Sequence, residues 1–167
     1  MRYFAWYRSP LGNMLVVASA EALVGVYFAG QKYFPRLDPA WREHAAIDPI
    51  ARTIEELQRY FAGEHVRFTA PRAPHGTAFQ RAVWHAIATV EYGETISYGE
   101  LARRAGCPGS PRAVGAATGQ NPLGIVVPCH RIVGADGRLT GYAGGLERKR
   151  ALLALEAGCA QTALALG

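Results

Sequence analysis

Cysteine is scarce: three occur in 167 residues, Cys107, Cys129 and Cys159. The number is odd and no pair is spaced Cys-x-x-Cys, which excludes a disulfide framework and argues against a four-ligand zinc site. The five histidines do not cluster at ligand spacing either, so no metal is expected. A free thiol in a reducing compartment is left, and a free thiol is a candidate nucleophile. Long apolar runs are missing as well. A membrane span needs about 20 residues, and the longest candidate, Leu15 to Ala29, is broken by Glu21. The start, Met1-Arg2-Tyr3-Phe4-Ala5-Trp6, is too aromatic and too short in apolar residues for a signal peptide. A cytosolic protein with no membrane partner is expected.

Charged residues make up 19% and apolar residues 50%, a balance that excludes disorder and supports a buried core in one ordinary domain or two small ones. The net charge of +5 is uneven. Residues 1–70 hold 8 basic and 7 acidic side chains, residues 71–96 hold 2 and 2, and residues 97–167 hold 8 and 4. An anionic partner would dock on the last part; ordinary solubility explains the same excess.

Tyr3 to Tyr7, Met14 to Ala18 and Leu23 to Phe28 read as strands of an antiparallel meander, with Ser9-Pro10-Leu11-Gly12 as a turn. Gly30 to Asp48 reads as loop. Pro49 to Ala62 is an amphipathic helix on Ile50, Ile54, Leu57 and Phe61, with Asp48 as its N-cap and Gly63 as its stop. Val66 to Thr69 is a candidate strand, and residues 71–76, rich in Pro and Gly, are a candidate linker. The expected division is a support domain over residues 1–70 and a second domain over residues 77–167. A helix begins near Thr77, with Phe79, Val83, Ile87 and Val90 on one face.

Ser97-Tyr98-Gly99-Glu100 has the form of a capping box and opens a short helix that Gly106 ends. After the turn Cys107-Pro108-Gly109, Ser110 caps a second helix with Pro111 at its first position. Two short helices joined by a glycine-containing turn outline a helix-turn-helix. The second helix carries Arg112 at its start and small side chains at Ala113, Gly115, Ala116 and Ala117. Such a face admits either a nucleic-acid backbone or another helix.

Ile125-Val126-Val127 reads as a buried strand leading into Pro128-Cys129-His130-Arg131-Ile132-Val133, with a hairpin-type turn at Gly134 to Gly137. A free cysteine is commonly an inert small hydrophobe; an adjacent histidine and a preceding proline favour a nucleophile. On an extended chain, Cys129 and His130 point to opposite faces, so a proton would pass between them through a bend or a water. Tyr142, with Gly141, Gly144 and Gly145, forms a turn whose backbone can approach a ligand closely. Leu146 to Ala157 is a helix with Glu147 and Arg148-Lys149-Arg150 on its exposed part. Glu156, at the edge of its apolar face, is either an exposed residue or an inward carboxylate orienting a histidine.

The run Pro128-Cys129-His130-Arg131-Ile132-Val133 resembles that of the O6-alkylguanine-DNA alkyltransferases, the methylated-DNA–protein-cysteine methyltransferase family. Arg112-Ala113-Val114-Gly115, Asn121-Pro122 and Gly141-Tyr142-Ala143-Gly144-Gly145-Leu146 match in order and spacing. The likeness is strong from Thr77 to Glu156 and merely compatible before that. It implies an α+β protein: a small N-terminal RNase H-like α/β domain plus a helical, winged-helix-like C-terminal domain with the helix-turn-helix. It implies irreversible, stoichiometric transfer of an alkyl group from O6 of guanine, and from O4 of thymine, in duplex DNA to Cys129. The alternative is a non-catalytic damage sensor or DNA-binding regulator.

By the same resemblance Cys129 is the alkyl acceptor, His130 the base acting through water, Glu156 its orienting carboxylate and Asn121 the brace of the active-site turn. Arg112 fills the stack vacated by a flipped base, and Tyr98 helps to rotate the nucleotide and donates to guanine N3. The Ala143 N–H donates to O6, and the carbonyls of Cys129 and Ile132 accept from the exocyclic amine. Ala113, Gly115 and Ala116 approach the minor groove, and Tyr98, Cys129, Ile132, Tyr142 and Ala143 line the pocket. No cofactor is implied, because the cysteine is consumed, and a monomer is expected. Ala143 and Gly124 stand where some mammalian relatives carry Ser and Pro, which implies a more open pocket wall. No cysteine precedes Cys107 to hold the zinc of some relatives.

Overall fold

The computed structural model describes residues 1–158; Cys159 lies outside them. Three strands, β1 (Tyr3–Ser9), β2 (Gly12–Ala18) and β3 (Leu23–Phe28), form the antiparallel meander, and a two-residue β4 (Arg42–Glu43) adds parallel to β1, giving the order β3-β2-β1-β4. Successive β2 side chains point to opposite faces, and both faces are buried. Met14, Val16 and Ala18 join the main core. Leu15 and Val17 pack with Val24 under Phe4, Tyr27, Phe34 and Trp41. The segment expected to be loop therefore supplies β4 and a cover for the outer face of the sheet. β4 is too short to leave a periodic signal.

Helix α1 (Asp48–Phe61) lies on the inner face through Ile50, Leu57, Tyr60 and Phe61. Asp48 is its first residue rather than its cap; Ile47 holds that place without a side-chain bond, and the Asp48 carboxylate pairs with Arg52 one turn on. Val66 to Thr69 is not a strand. Its backbone is tied to α1 instead, where Glu56 accepts from the Thr69 N–H and hydroxyl. Residues 71–73 run beside β3, with Leu23 bonded to Pro71 and Ala73, and Val26 is bonded to Pro122 and Gly124. Both segments occupy the outer edge of β3, which would otherwise present unpaired N–H and C=O groups, and they join the first half of the chain to the second.

Helix α2 (Ala78–Ile87) starts with a full capping box between Thr77 and Gln80. It packs against α3 (Tyr98–Arg104) and α4 (Pro111–Gly119) through Val83, Trp84, Ala86 and Ile87. The Trp84 indole N–H donates to the Ala117 carbonyl at 2.8 Å. Phe79 was expected on the apolar face and is instead exposed, in the first turn of α2. The capping box at Ser97 is half formed: Ser97 accepts from the Glu100 N–H, while the Glu100 side chain turns to Arg103 and Arg104. Ser110 caps α4 without a side-chain bond.

Strands β5 (Ile96–Ser97) and β6 (Ile132–Val133) pair in parallel. That short ladder sets the start of α3 beside the Pro128-Cys129-His130-Arg131 run. The turn after β6 closes through the Gly134 N–H to Arg138, with no strand pair around it among the described residues. Helix α5 (Leu146–Glu156) follows. Replacing the fully buried Leu57 by Ala is expected to cost about 2–5 kcal/mol in urea unfolding, and Phe79→Ala about 0.5 kcal/mol or less. The reverse order would contradict this packing.

Candidate active site

Residues 125–127 do not form the expected strand. Val127 N–H turns back to Leu123, Val126 N–H to Gly124, and Ile125 sits at φ 67°, a conformation that a β-branched residue rarely adopts. Asn121 is buried and holds this loop from inside. Its amide donates to the Val127 carbonyl at 2.9 Å, and its oxygen accepts from the Leu123 N–H at 3.0 Å. The loop delivers the chain into one 3-10 turn, Cys129–Arg131, closed by the Arg131 N–H to Pro128. An extended Cys129–His130 pair is thereby replaced by a tight turn. Two constraints impose it: the Asn121 brace before the turn and the β5–β6 ladder after it.

Within the turn the side chains diverge. Cys129 faces a cavity of about 400 Å³. His130 and Arg131 point into the protein, toward Glu156 at the end of α5. The inward alternative for Glu156 is the one observed. Its Oε2 accepts from His130 Nε2 at 2.6 Å, the Tyr60 hydroxyl at 2.6 Å and Arg131 Nη2 at 3.0 Å; its Oε1 accepts from Arg131 Nε at 2.7 Å and the Gly93 N–H at 3.1 Å. Burial opposes the charge, yet hydrogen bonds from His130 and Arg131 and the charge of the Arg131 guanidinium hold the carboxyl well below the usual carboxylate range.

Burial also pushes His130 down, against the pull of Glu156, so the ring is neutral near pH 7. With Nε2–H donated to the carboxylate, the bare acceptor is Nδ1, and Nδ1 has no protein partner. Burial pushes the Cys129 thiol up, while the nearby Asn121 amide and the charge of Lys149 draw it back. The site thus holds a neutral thiol and a neutral imidazole with its free nitrogen fixed.

The cavity is lined by residues of several elements. Tyr98 comes from α3, Gly115 and Ala116 from α4, and Tyr142 and Ala143 from the loop before α5; Lys32 and Tyr33 come from the first half of the chain. The Thr140 hydroxyl donates to the Tyr98 oxygen at 3.2 Å, which leaves the phenol proton of Tyr98 free to donate. Ala117 was grouped with the small outer face and instead packs inward. Arg112 and Ala113 are exposed in the first turn of α4, away from the cavity lining. Ile132 is fully buried and does not line the cavity. Its carbonyl accepts from Lys149 Nζ at 2.6 Å, and the Cys129 carbonyl accepts the Ile132 N–H, so each has one lone pair left.

Lys149 was expected on the exposed side of α5 and is fully buried. Its ammonium also reaches the carbonyls of Thr140 and Gly141, tying the pocket wall to β6. Burial lowers its pKa to about 8, against the pull of Cys129. Tyr60, Arg131, Lys149, Lys32 and Tyr33 escaped the sequence reading as site residues. Only Arg131 carried a signal, its place in the Cys-His run.

A thiol at the floor of a cavity beside a helix-turn-helix, backed by a Glu-His pair, defines a protein that moves a group onto or through cysteine at a nucleic-acid surface. The 6-O-methylguanine DNA methyltransferase DNA binding domain matches residues 78–158, and the ribonuclease-like domain of the same proteins matches residues 2–74. The methylated-DNA–protein-cysteine methyltransferase of Haemophilus influenzae is 43% identical over 155 residues, 92% of this chain and 86% of that one. The one from Mycolicibacterium paratuberculosis is 47% identical over 148 residues, 89% and 88% of the two chains. Mycobacterium tuberculosis OGT in complex with DNA superposes with a TM-score of 0.87 at 40% identity, covering 97% of this chain and 98% of that one. The chain belongs to the 6-O-methylguanine DNA methyltransferase family. No helix among the described residues is long and apolar enough to cross a membrane.

The protonation states predict a pH dependence of stability. His130 titrates below its ordinary value in the fold, and an unfolded histidine titrates near about 6.5. Between the two values the unfolded chain binds more protons, so stability is complete above the upper value and is lost as the pH falls toward the lower. The thermal midpoint is expected to fall between pH 7 and pH 5, and to fall less in His130→Gln. Equal slopes in the two proteins would contradict a buried neutral His130.

Proposed function

We propose that this protein repairs alkylated DNA directly, by moving an alkyl group from O6 of guanine, and from O4 of thymine, onto Cys129. Sγ attacks the alkyl carbon; the S–C bond forms and the C–O6 bond breaks, with its electron pair passing to the guanine. The thiol proton moves through water to His130 Nδ1 and from there to the departing base. The balance needs no cofactor, and the thioether left on Cys129 ends the reaction after one turnover. The observation that carries this reading is the pairing of a cavity-facing thiol with a neutral histidine whose free nitrogen is fixed by a buried carboxylate. The names of the relatives support it.

Duplex DNA docks by its minor groove on the Ala113, Gly115 and Ala116 face of α4. The target nucleotide turns out of the stack into the cavity, and Arg112 enters the gap. Tyr98 donates to N3 and the Ala143 N–H to O6, where negative charge develops. The remaining lone pair of the Cys129 carbonyl accepts from the amine. The protein acts as a monomer in the cytoplasm.

A duplex carrying one labelled methyl on guanine O6 tests this. Peptide mass mapping is expected to place the label on Cys129, at no more than one per protein, with none in Cys129→Ala. Glu156→Gln is expected to slow transfer by at least about tenfold while the duplex still binds. Tight binding with the label left on DNA would make the protein a sensor, and turnover above one on a small ester would make it a hydrolase.

A further inference from the structure

Four residues donate to the Glu156 carboxylate, and one of them is not in the half of the chain that holds Cys129. Gly93, His130 and Arg131 lie within residues 78–158, whereas Tyr60 is in the last turn of α1. Tyr60 is fully buried, and its hydroxyl donates at 2.6 Å to Oε2, the same oxygen that takes the His130 N–H. The phenol also lies 3.5 Å from His130 Nε2 itself. Its ring is held edge-on by Phe61 and Tyr92 and tilted against Phe68, so the hydroxyl has one direction to point.

A carboxylate offers about four lone-pair sites, and this one receives five hydrogen bonds. Each donor withdraws negative charge from the oxygen it binds, and the charge on Oε2 decides how strongly His130 is held as an imidazolium. A phenol, an imidazole and a guanidinium share that oxygen. We propose that Tyr60 is a positioning residue for the alkyl transfer: by donating to Oε2 it fixes the carboxylate against His130 and limits its charge, so that His130 rests neutral with Nδ1 available as the base. The N-terminal half thereby takes part in the chemistry through one hydroxyl, besides supporting the second half. This rests on the transfer proposed above.

The charged and titratable groups facing His130 are Glu156, Arg131 and Lys149, with Tyr60 closing the set from α1. Burial and the neighbouring carboxylate hold the Tyr60 phenol protonated, so it stays a donor throughout the working range. Without the hydroxyl, Oε2 regains charge and His130 becomes a stronger base, protonated at higher pH. The low-pH limb of the transfer rate, where protonated His130 can no longer accept the thiol proton, then moves up the pH scale.

Tyr60→Phe tests this. The variant leaves no polar atom of its own unpaired, and four hydrogen bonds remain on Glu156, so it is expected to fold. Single-turnover methyl transfer from a short O6-methylguanine duplex is measured across pH 5 to 9 with wild type and variant. The low-pH limb is expected to shift upward by about half a unit or more, with the rate at neutral pH reduced about threefold or more. A lower thermal midpoint with an unmoved limb would make Tyr60 structural and overturn the proposal. Failure of the wild type to take up methyl at all would instead overturn the transfer reading. If Tyr60→Phe did not fold, Tyr60→Met and Leu57→Val decide it: a moved limb in the first, which loses the hydroxyl, and an unmoved one in the second, which keeps it, is the result expected, and equal limbs would overturn it.

Discussion

The carboxylate of Glu156 is buried at the meeting point of α5, the turn after α2, the Cys-His turn and α1. An isolated charge in such a place would cost several kcal/mol. It is tolerated because Arg131 meets it with two parallel N–H groups, and Gly93, Tyr60 and His130 fill what remains. Removing any element around it leaves a charge or a donor without a partner. The same bonds set the chemistry: Arg131 neutralises the carboxylate, the carboxylate selects the His130 tautomer, and the tautomer leaves Nδ1 bare.

The nucleophile is kept from reacting with everything by opposing influences. Burial favours the neutral thiol, while Asn121 and the Lys149 ammonium favour the thiolate. A thiol poised in this way needs a base, and the base is adjacent in sequence yet turned inward. The tight turn at Cys129–Arg131 makes that geometry possible, and the strained Ile125 and the Asn121 brace hold the turn. Strain of this kind is retained where the surrounding contacts over-determine it.

The periodic elements were legible in the sequence. The amphipathic pattern located α1, and the Ser97 and Pro111 signals located α3 and α4, because each helix meets a core on one side. Polar groups buried by pairing were not decided by the pattern: Lys149 was placed outside, and Glu156 stayed open between two readings until the resemblance assigned it. Lys149 and Glu156 are seven residues apart, two turns of α5, and share its inward face with Leu152. A charged residue on a buried face defeats a rule that sorts by polarity. Tyr60, three residues after Leu57, is indistinguishable in the pattern from a core aromatic until its hydroxyl is seen on Glu156. Likewise, Ile125-Val126-Val127 has the composition of a strand, and it is bent by the Asn121 side chain four residues before it and by the bonds of Val126 and Val127 back to Gly124 and Leu123.

The central claim is that a buried carboxylate fixes His130 as the neutral ring protonated on Nε2. Nitrogen-15 NMR of the histidine side chains, with His130 assigned by substitution, reads this directly. At neutral pH the account predicts a proton on Nε2 of His130 and none on Nδ1, in the protein before it meets DNA. A doubly protonated ring, or a proton on Nδ1, would contradict it, because neither state could accept a proton on the route from Cys129.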